Sequence, residues 1–177
     1  MNDGAWAKGA PDAPGEEALA RRVVRAARSR GVTVGCAESC TGGLVCGALT
    51  SVPGSSAALV GGVVSYATSV KARVLGVAQD VLSDPAQGAV SAPCAAQMAE
   101  GVTRVVGSDF GVSVTGIAGP GGAEPCRPVG TVWFGVHGPD GTRCVLERFS
   151  GDRASVRHQA VCCALRLLCE EIEGARP

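Results

Sequence analysis

The chain has 177 residues, 46% apolar and 18% charged, which excludes a disordered polyelectrolyte and leaves length for one domain with a real core. Lysine plus arginine and aspartate plus glutamate balance at 16 each, so no global field recruits nucleic acid or an anionic membrane, and an anionic ligand has to be caught locally. No apolar run reaches the length of a membrane span, and the first fifteen residues lack the apolar core of a signal peptide, so the expected compartment is the cytoplasm.

Residues 1–15, dominated by Gly, Pro and Ala, read as a disordered extension, and residues 16–174 as a single domain. "EEALARRVVRAARSR" (16–30) has apolar groups at helical spacing, with Gly31 as the stop. "VTVGCA" (32–37) is short and β-branched, as a buried strand is. "ESCTGG" (38–43) is a turn, and "LVCGALTS" a helix ending near Pro53-Gly54. "LVGGVVSY" (59–66) reads as the next strand and "SVKARVLG" as a short helix. A further helix spans 91–107, with Ser91 as N-cap and Pro93 in its first turn. "FGVSVTG" (110–116) is another buried strand. After the Gly/Pro loop "IAGPGGAEPCRPVG", the segments "GTVWFGVHG" and "TRCVLERFS" flank the turn "PDG" as a hairpin. "DRASVRHQAVCCALRLLCEEI" (152–172) closes the chain as a long amphipathic helix. Helices alternating with apolar strands predict an α/β fold, a three-layer α/β/α sandwich on a mixed, mainly parallel sheet.

The nine cysteines are odd in number, contain no C-x-x-C, and have only His137 and His158 for company. They read as small buried hydrophobes in a reducing compartment rather than as a metal or disulfide framework.

In an open α/β sheet, ligands gather beyond the carboxyl ends of the parallel strands. Three loops qualify: "ESCTGG", "YATS" and "TGIAGPGG". They bring Ser39, Thr41, Tyr66, Lys71 and Thr115 into one neighbourhood. Ser39 or Thr41 could serve only as a helix cap. Yet Gly42 and Gly43 are poor helix formers that would let a ligand approach bare backbone N–H groups, as an oxyanion hole beside a nucleophile requires. The loop fits neither the P-loop nor the G-x-S-x-G pattern, and the prolines after "TGIAGPGG" exclude a dinucleotide fingerprint.

The basic residues comprise fourteen arginines and two lysines, and Lys71 is the one lysine in the globular part. Arginine supplies charge as well as lysine does but cannot give up its proton. Lys71 is therefore either an accident of composition or a base. An ordinary lysine is neutral only about once in 2,500 molecules at pH 7, so a useful base needs its pKa lowered by about 3–5 kcal/mol of environment. Tyr66, the only tyrosine, could relay a proton to it or simply end a strand. Arg153 and Arg157, four apart, form either a solvated face or a phosphate clamp at a helix start; Asp152 reads as a cap and His158 as structural.

The motifs "AESCTGGLV", "VPGSSA", "VVSYATSVKARVLGV", "GAVS", "VTGIAGPGG", "VGTVWF" and "FSGDRASVRHQA", in this order, resemble the CinA C-terminal domain family. The resemblance runs from about Glu17 to Ile172, and the stand-alone members of that family are nicotinamide-nucleotide amidases. It implies hydrolysis of nicotinamide mononucleotide (NMN) to nicotinate mononucleotide and ammonia. Ser39 maps onto the nucleophile, Lys71 onto its base, Tyr66 onto the motif tyrosine and Arg153 onto the "GDR" arginine. Thr41, Gly42, Gly43, Thr115 and Gly116 are the expected oxyanion and substrate contacts. No cofactor or metal is expected in the reaction, and the family implies a homo-oligomer. Two positions depart from the family pattern: Thr68 stands where asparagine is frequent, and Arg127 where lysine is common. The larger CinA proteins carry an N-terminal nucleotide-processing domain, which is not expected within these 177 residues. Two other classes stay open: a catalytically idle nucleotide-binding or regulatory module, and a stress- or competence-linked interaction protein.

Overall fold

The structure, a computed structural model, describes residues 15–175; apart from Gly15, the expected N-terminal extension lies outside the described residues. Helix α1 (Glu16–Arg30) turns Leu19, Val23, Val24 and Ala27 inward and ends at Gly31. Strand β1 (Val34–Glu38) is buried along its whole length. Helix α2 (Leu44–Thr50), a 3-10 turn (Ser55–Ala57), strand β2 (Leu59–Val64) and helix α3 (Thr68–Leu75) follow. Helix α4 (Gln79–Ser83) is a single short turn that buries no residue. Helix α5 (Ala92–Val106) begins as its sequence predicts: the Ser91 hydroxyl accepts from the Cys94 N–H, and a proline sits in the first turn. Strands β3 (Phe110–Gly116), β4 (Thr131–Gly138) and β5 (Gly141–Arg148) precede helix α6 (Arg153–Gly174).

The five strands form one sheet in the order β2-β1-β3-β4-β5. The pairs β2–β1 and β1–β3 are parallel, whereas β3–β4 and β4–β5 are antiparallel, so the sheet is mixed and the hairpin supplies its antiparallel half. Helices α1, α2 and α6 cover one face, where the larger core cluster includes Leu19, Val23, Leu49, Phe134, Leu165 and Leu168. Helices α3 and α5 cover the other, around Leu75, Met98 and Val102. The contact of α5 with the sheet is close because β4 carries Gly135 there: a Cβ at that position would lie 2.3 Å from the Ala95 carbonyl oxygen.

The chain passes from β1 to β2 on one side and then to β3 on the other. The carboxyl end of β1 is therefore a topological switch point, the place where such sheets open a crevice. Ser39 is the first residue beyond it. Among the described residues, no helix is long and apolar enough to cross a membrane.

Candidate active site

The turn after β1 is fastened from several sides. The Ser39 N–H donates to the Val114 carbonyl of β3 (3.0 Å), and the Ser65 N–H donates to the Glu38 carbonyl (2.8 Å). The Glu38 side chain is only 1% exposed, yet it is fully engaged: it accepts from the backbone N–H groups of Gly43 (2.8 Å), Val45 (3.1 Å) and Cys46 (2.9 Å). These are donors that the first turn of a helix leaves without partners, and the residue at the N-cap, Gly43, has no side chain to serve them. Gly43 also sits at φ 99°, a left-handed backbone that a side chain would strain. From α6, Arg157 donates its Nε to the Cys40 carbonyl (3.1 Å) and its Nη2 to the Thr41 carbonyl (2.9 Å).

Lys71 projects from α3 into this turn and is 1% exposed. Its Nζ lies 2.9 Å from Ser39 Oγ, donates to the Ser65 carbonyl, and is 3.5 Å from the Tyr66 carbonyl. Burial pushes its pKa below the usual lysine value. The titratable groups that act on it are the thiols of Cys94 and Cys40. Burial raises both thiols to about 11, so near neutral pH they are protonated and offer the ammonium no counter-charge. The pair is thus a hydroxyl against an amine biased toward its neutral form.

Beside Ser39 opens a cavity of about 250 Å³ lined by Ser39, Cys40, Tyr66, Arg153 and the loop from Gly116 to Gly122. Arg153 donates Nη1 to the Gly119 carbonyl (2.8 Å), and its Nη2 is 3.5 Å from the Tyr66 hydroxyl. Tyr66 is 64% exposed. Asp152 caps α6 by accepting from the Ser155 N–H (2.8 Å), the role its place in the sequence predicts.

A family model for the CinA C-terminal domain matches residues 16–172. The chain belongs to the CinA C-terminal domain family. A CinA-like protein of Anaeromyxobacter sp. (strain K) is 51% identical over 154 residues, which cover 87% of this chain and 37% of that protein. A CinA-like protein of Syntrophotalea carbinolica is 44% identical over 156 residues. The chain spans little more than a third of the length of these curated relatives (37%). Among solved structures, a CinA superfamily protein from Klebsiella pneumoniae 700603 superposes with a TM-score of 0.86 at 34% identity, covering 92% of this chain and 100% of its own. The competence/damage inducible protein CihA from Agrobacterium tumefaciens gives 0.83 at 41% identity, covering 88% and 94%.

Within this CinA domain the expected site residues divide into two groups. Ser39, Lys71, Tyr66, Gly116 and Arg153 converge on the cavity or on each other. The others do not line the cavity, and most are engaged elsewhere. The Gly42 N–H donates to the Ser39 carbonyl (3.1 Å) and the Gly43 N–H to Glu38, so neither amide is open to an oxyanion. The Thr115 hydroxyl donates to the Ala89 carbonyl (2.6 Å) and is turned away from the cavity, which it does not line. Thr41 is fully buried, and its hydroxyl has no hydrogen-bond partner among the described residues. Lys71 contacts Ser39 directly, and the Tyr66 phenol stands beside Arg153. Arg157 braces the turn instead of facing the cavity.

The amides of Cys40 and Thr41 donate to no carbonyl among the described residues. Cys40 lines the cavity beside Ser39, which leaves its N–H as a candidate oxyanion donor. The two family departures lie outside the cavity. Thr68 opens α3 on the surface. Arg127 donates to the carbonyls of Gln87, Val90 (3.3 Å) and Pro85 (3.1 Å), tying the loop before β4 to the segment before α5.

Proposed function

We propose that this chain is a serine–lysine amidohydrolase that converts NMN and water to nicotinate mononucleotide and ammonia. The observation that carries the reading is the 2.9 Å contact between Ser39 Oγ and a buried Lys71 Nζ whose pKa is lowered, at the mouth of a cavity that also holds Arg153.

Neutral Lys71 takes the Ser39 proton across that contact as Oγ bonds to the carboxamide carbon. The carbonyl oxygen becomes the oxyanion, and the Cys40 N–H stabilises it. The C–N bond then breaks, and protonated Lys71 passes its proton to the leaving nitrogen, which departs as ammonia. The nicotinoyl ester on Ser39 is resolved by water, with Lys71 again accepting a proton and returning it to Oγ. Arg153 and the Tyr66 phenol, at the open side of the cavity, meet the phosphate and ribose end of the nucleotide. No step requires a metal or an organic cofactor.

Ammonia release from NMN by the purified chain, measured beside Ser39→Ala, tests the reading. Release that vanishes in the variant supports it. Absence of release together with tight NMN binding replaces it with an idle nucleotide-binding module.

A further inference from the structure

Where the start of α1 meets α6, three side chains with metal-ligand chemistry converge. His158 and Cys162 are one turn apart on α6, with His158 Nε2 3.8 Å from Cys162 Sγ. Glu16, in the first turn of α1, places Oε2 3.0 Å from His158 Nδ1. One ligand atom from each residue can be chosen so that all three lie within 4.8 Å of one another. None of the three lines the Ser39 cavity.

We propose that Glu16, His158 and Cys162 form a binding site for one divalent cation of the zinc class, clamping the start of α1 to α6. The donor set is one thiolate sulfur, one imidazole nitrogen and one carboxylate oxygen. That mixture suits Zn²⁺ and is wrong for Mg²⁺ or Ca²⁺, which take oxygen. Zinc bonds of about 2.0–2.3 Å set tetrahedral ligand atoms roughly 3.3–3.7 Å apart. Only one imidazole nitrogen can bind the cation, so the ring turns to present it to both partners, and separations of up to 4.8 Å close by about 1 Å.

The three residues also differ in exposure as such a site requires. Cys162 is 7% exposed, which shields the metal–sulfur bond, whereas the side chains of His158 and Glu16 are 62% and 38% exposed. Solvent therefore reaches the fourth tetrahedral position, and the cation has an entry path. Binding exchanges the Cys162 S–H bond for a metal–sulfur bond and releases one proton to solvent; no electrons move. The cation is a fastener between two helices that already pack together, outside the lining of the Ser39 cavity.

Titration of the full chain with Co²⁺ tests the site, because a thiolate in a tetrahedral Co²⁺ sphere gives a near-ultraviolet charge-transfer band and intense visible bands. The expected result is saturation at one equivalent and displacement by Zn²⁺. Both sets of bands are lost in His158→Ala and in Cys162→Ser, and Glu16→Gln weakens binding about tenfold or more. His158 is exposed, so its variant keeps the fold, which circular dichroism checks. Zn²⁺ should raise the melting temperature of the parent chain and leave that of His158→Ala unmoved. Absence of the bands at stoichiometric Co²⁺ overturns the site, as does their survival in folded His158→Ala or Cys162→Ser.

Discussion

Lys71 Nζ and Ser39 Oγ lie 2.9 Å apart although 32 positions separate them in the chain and they sit on different elements. Under the proposed mechanism, the contact gives a chain with fourteen arginines a use for one lysine in its folded part. A guanidinium in the same place would hold its proton and could not accept another. Lys71→Arg should therefore keep the positive charge and lose turnover, by about 10²–10⁴-fold if general-base catalysis is the term removed. The neutral, unbranched Lys71→Met should lose as much. Ammonia release by Lys71→Arg at near-parental rate would show that the lysine is not the base.

The lowered Lys71 pKa has a definite sign in the pH profile. In the proposed mechanism the neutral amine is the working form, so kcat/KM should fall as pH drops through the lowered value and level off above it, below lysine's ordinary 10.5. Stability moves in the same direction. Between the lowered folded-state pKa and 10.5 the unfolded chain binds a proton that the folded chain does not, so unfolding free energy rises with pH across that window. Below the folded-state value the cost of burying the ammonium is fully present. Urea midpoints over this range should climb in the parent chain more steeply than in Lys71→Met, and identical slopes would exclude a shifted lysine.

The path from sequence to site was uneven for physical reasons. Helices α1, α5 and α6 were legible because their apolar residues recur at helical spacing, and β3 because it is a short β-branched run between turn signals. Helix α4 was missed: five residues with no buried face carry no periodicity. The glycines after Ser39 did signal an unusual backbone. What was not legible was who uses their amides, because the acceptor at Gly43 is the side chain of Glu38, a carboxylate in a buried strand where charge is ordinarily excluded. Arg157 was visible as one of a pair on a helix face, but its bonds to the Cys40 and Thr41 carbonyls join residues more than a hundred positions apart. Local pattern cannot announce such a partner.

Glu38 should accordingly matter more than its place as a strand-end residue suggests. Glu38→Ala leaves three buried or half-buried N–H groups at the start of α2 without an acceptor, and hydrogen bonds to a charged group are worth about 1.5–3 kcal/mol each. The bonds are not additive, and a loss of roughly 3–5 kcal/mol in urea unfolding is expected. Glu38→Gln keeps one acceptor oxygen and should lose about half as much. If the carboxylate also aims Ser39, Glu38→Gln should lower kcat with little change in KM. A stability loss with unchanged kcat would confine Glu38 to holding the helix.

Arg153 offers the last separation, between binding and chemistry. Its guanidinium lines the cavity, bonded to the Gly119 carbonyl and within 3.5 Å of the Tyr66 hydroxyl, and it makes no contact with Lys71 or Ser39. In the proposed mechanism a group so placed holds substrate without touching the proton path. Loss of a charge-assisted contact to phosphate costs about 1.5–3 kcal/mol, which is roughly 10–150-fold in affinity. Arg153→Ala should raise KM for NMN by about that factor and leave kcat nearly unchanged. Nicotinamide riboside, which lacks the phosphate, supplies the control: its slower hydrolysis should be indifferent to the substitution. If riboside turnover falls in parallel, the Gly119 contact and the order of the loop are what Arg153 supplies, and the phosphate is held elsewhere.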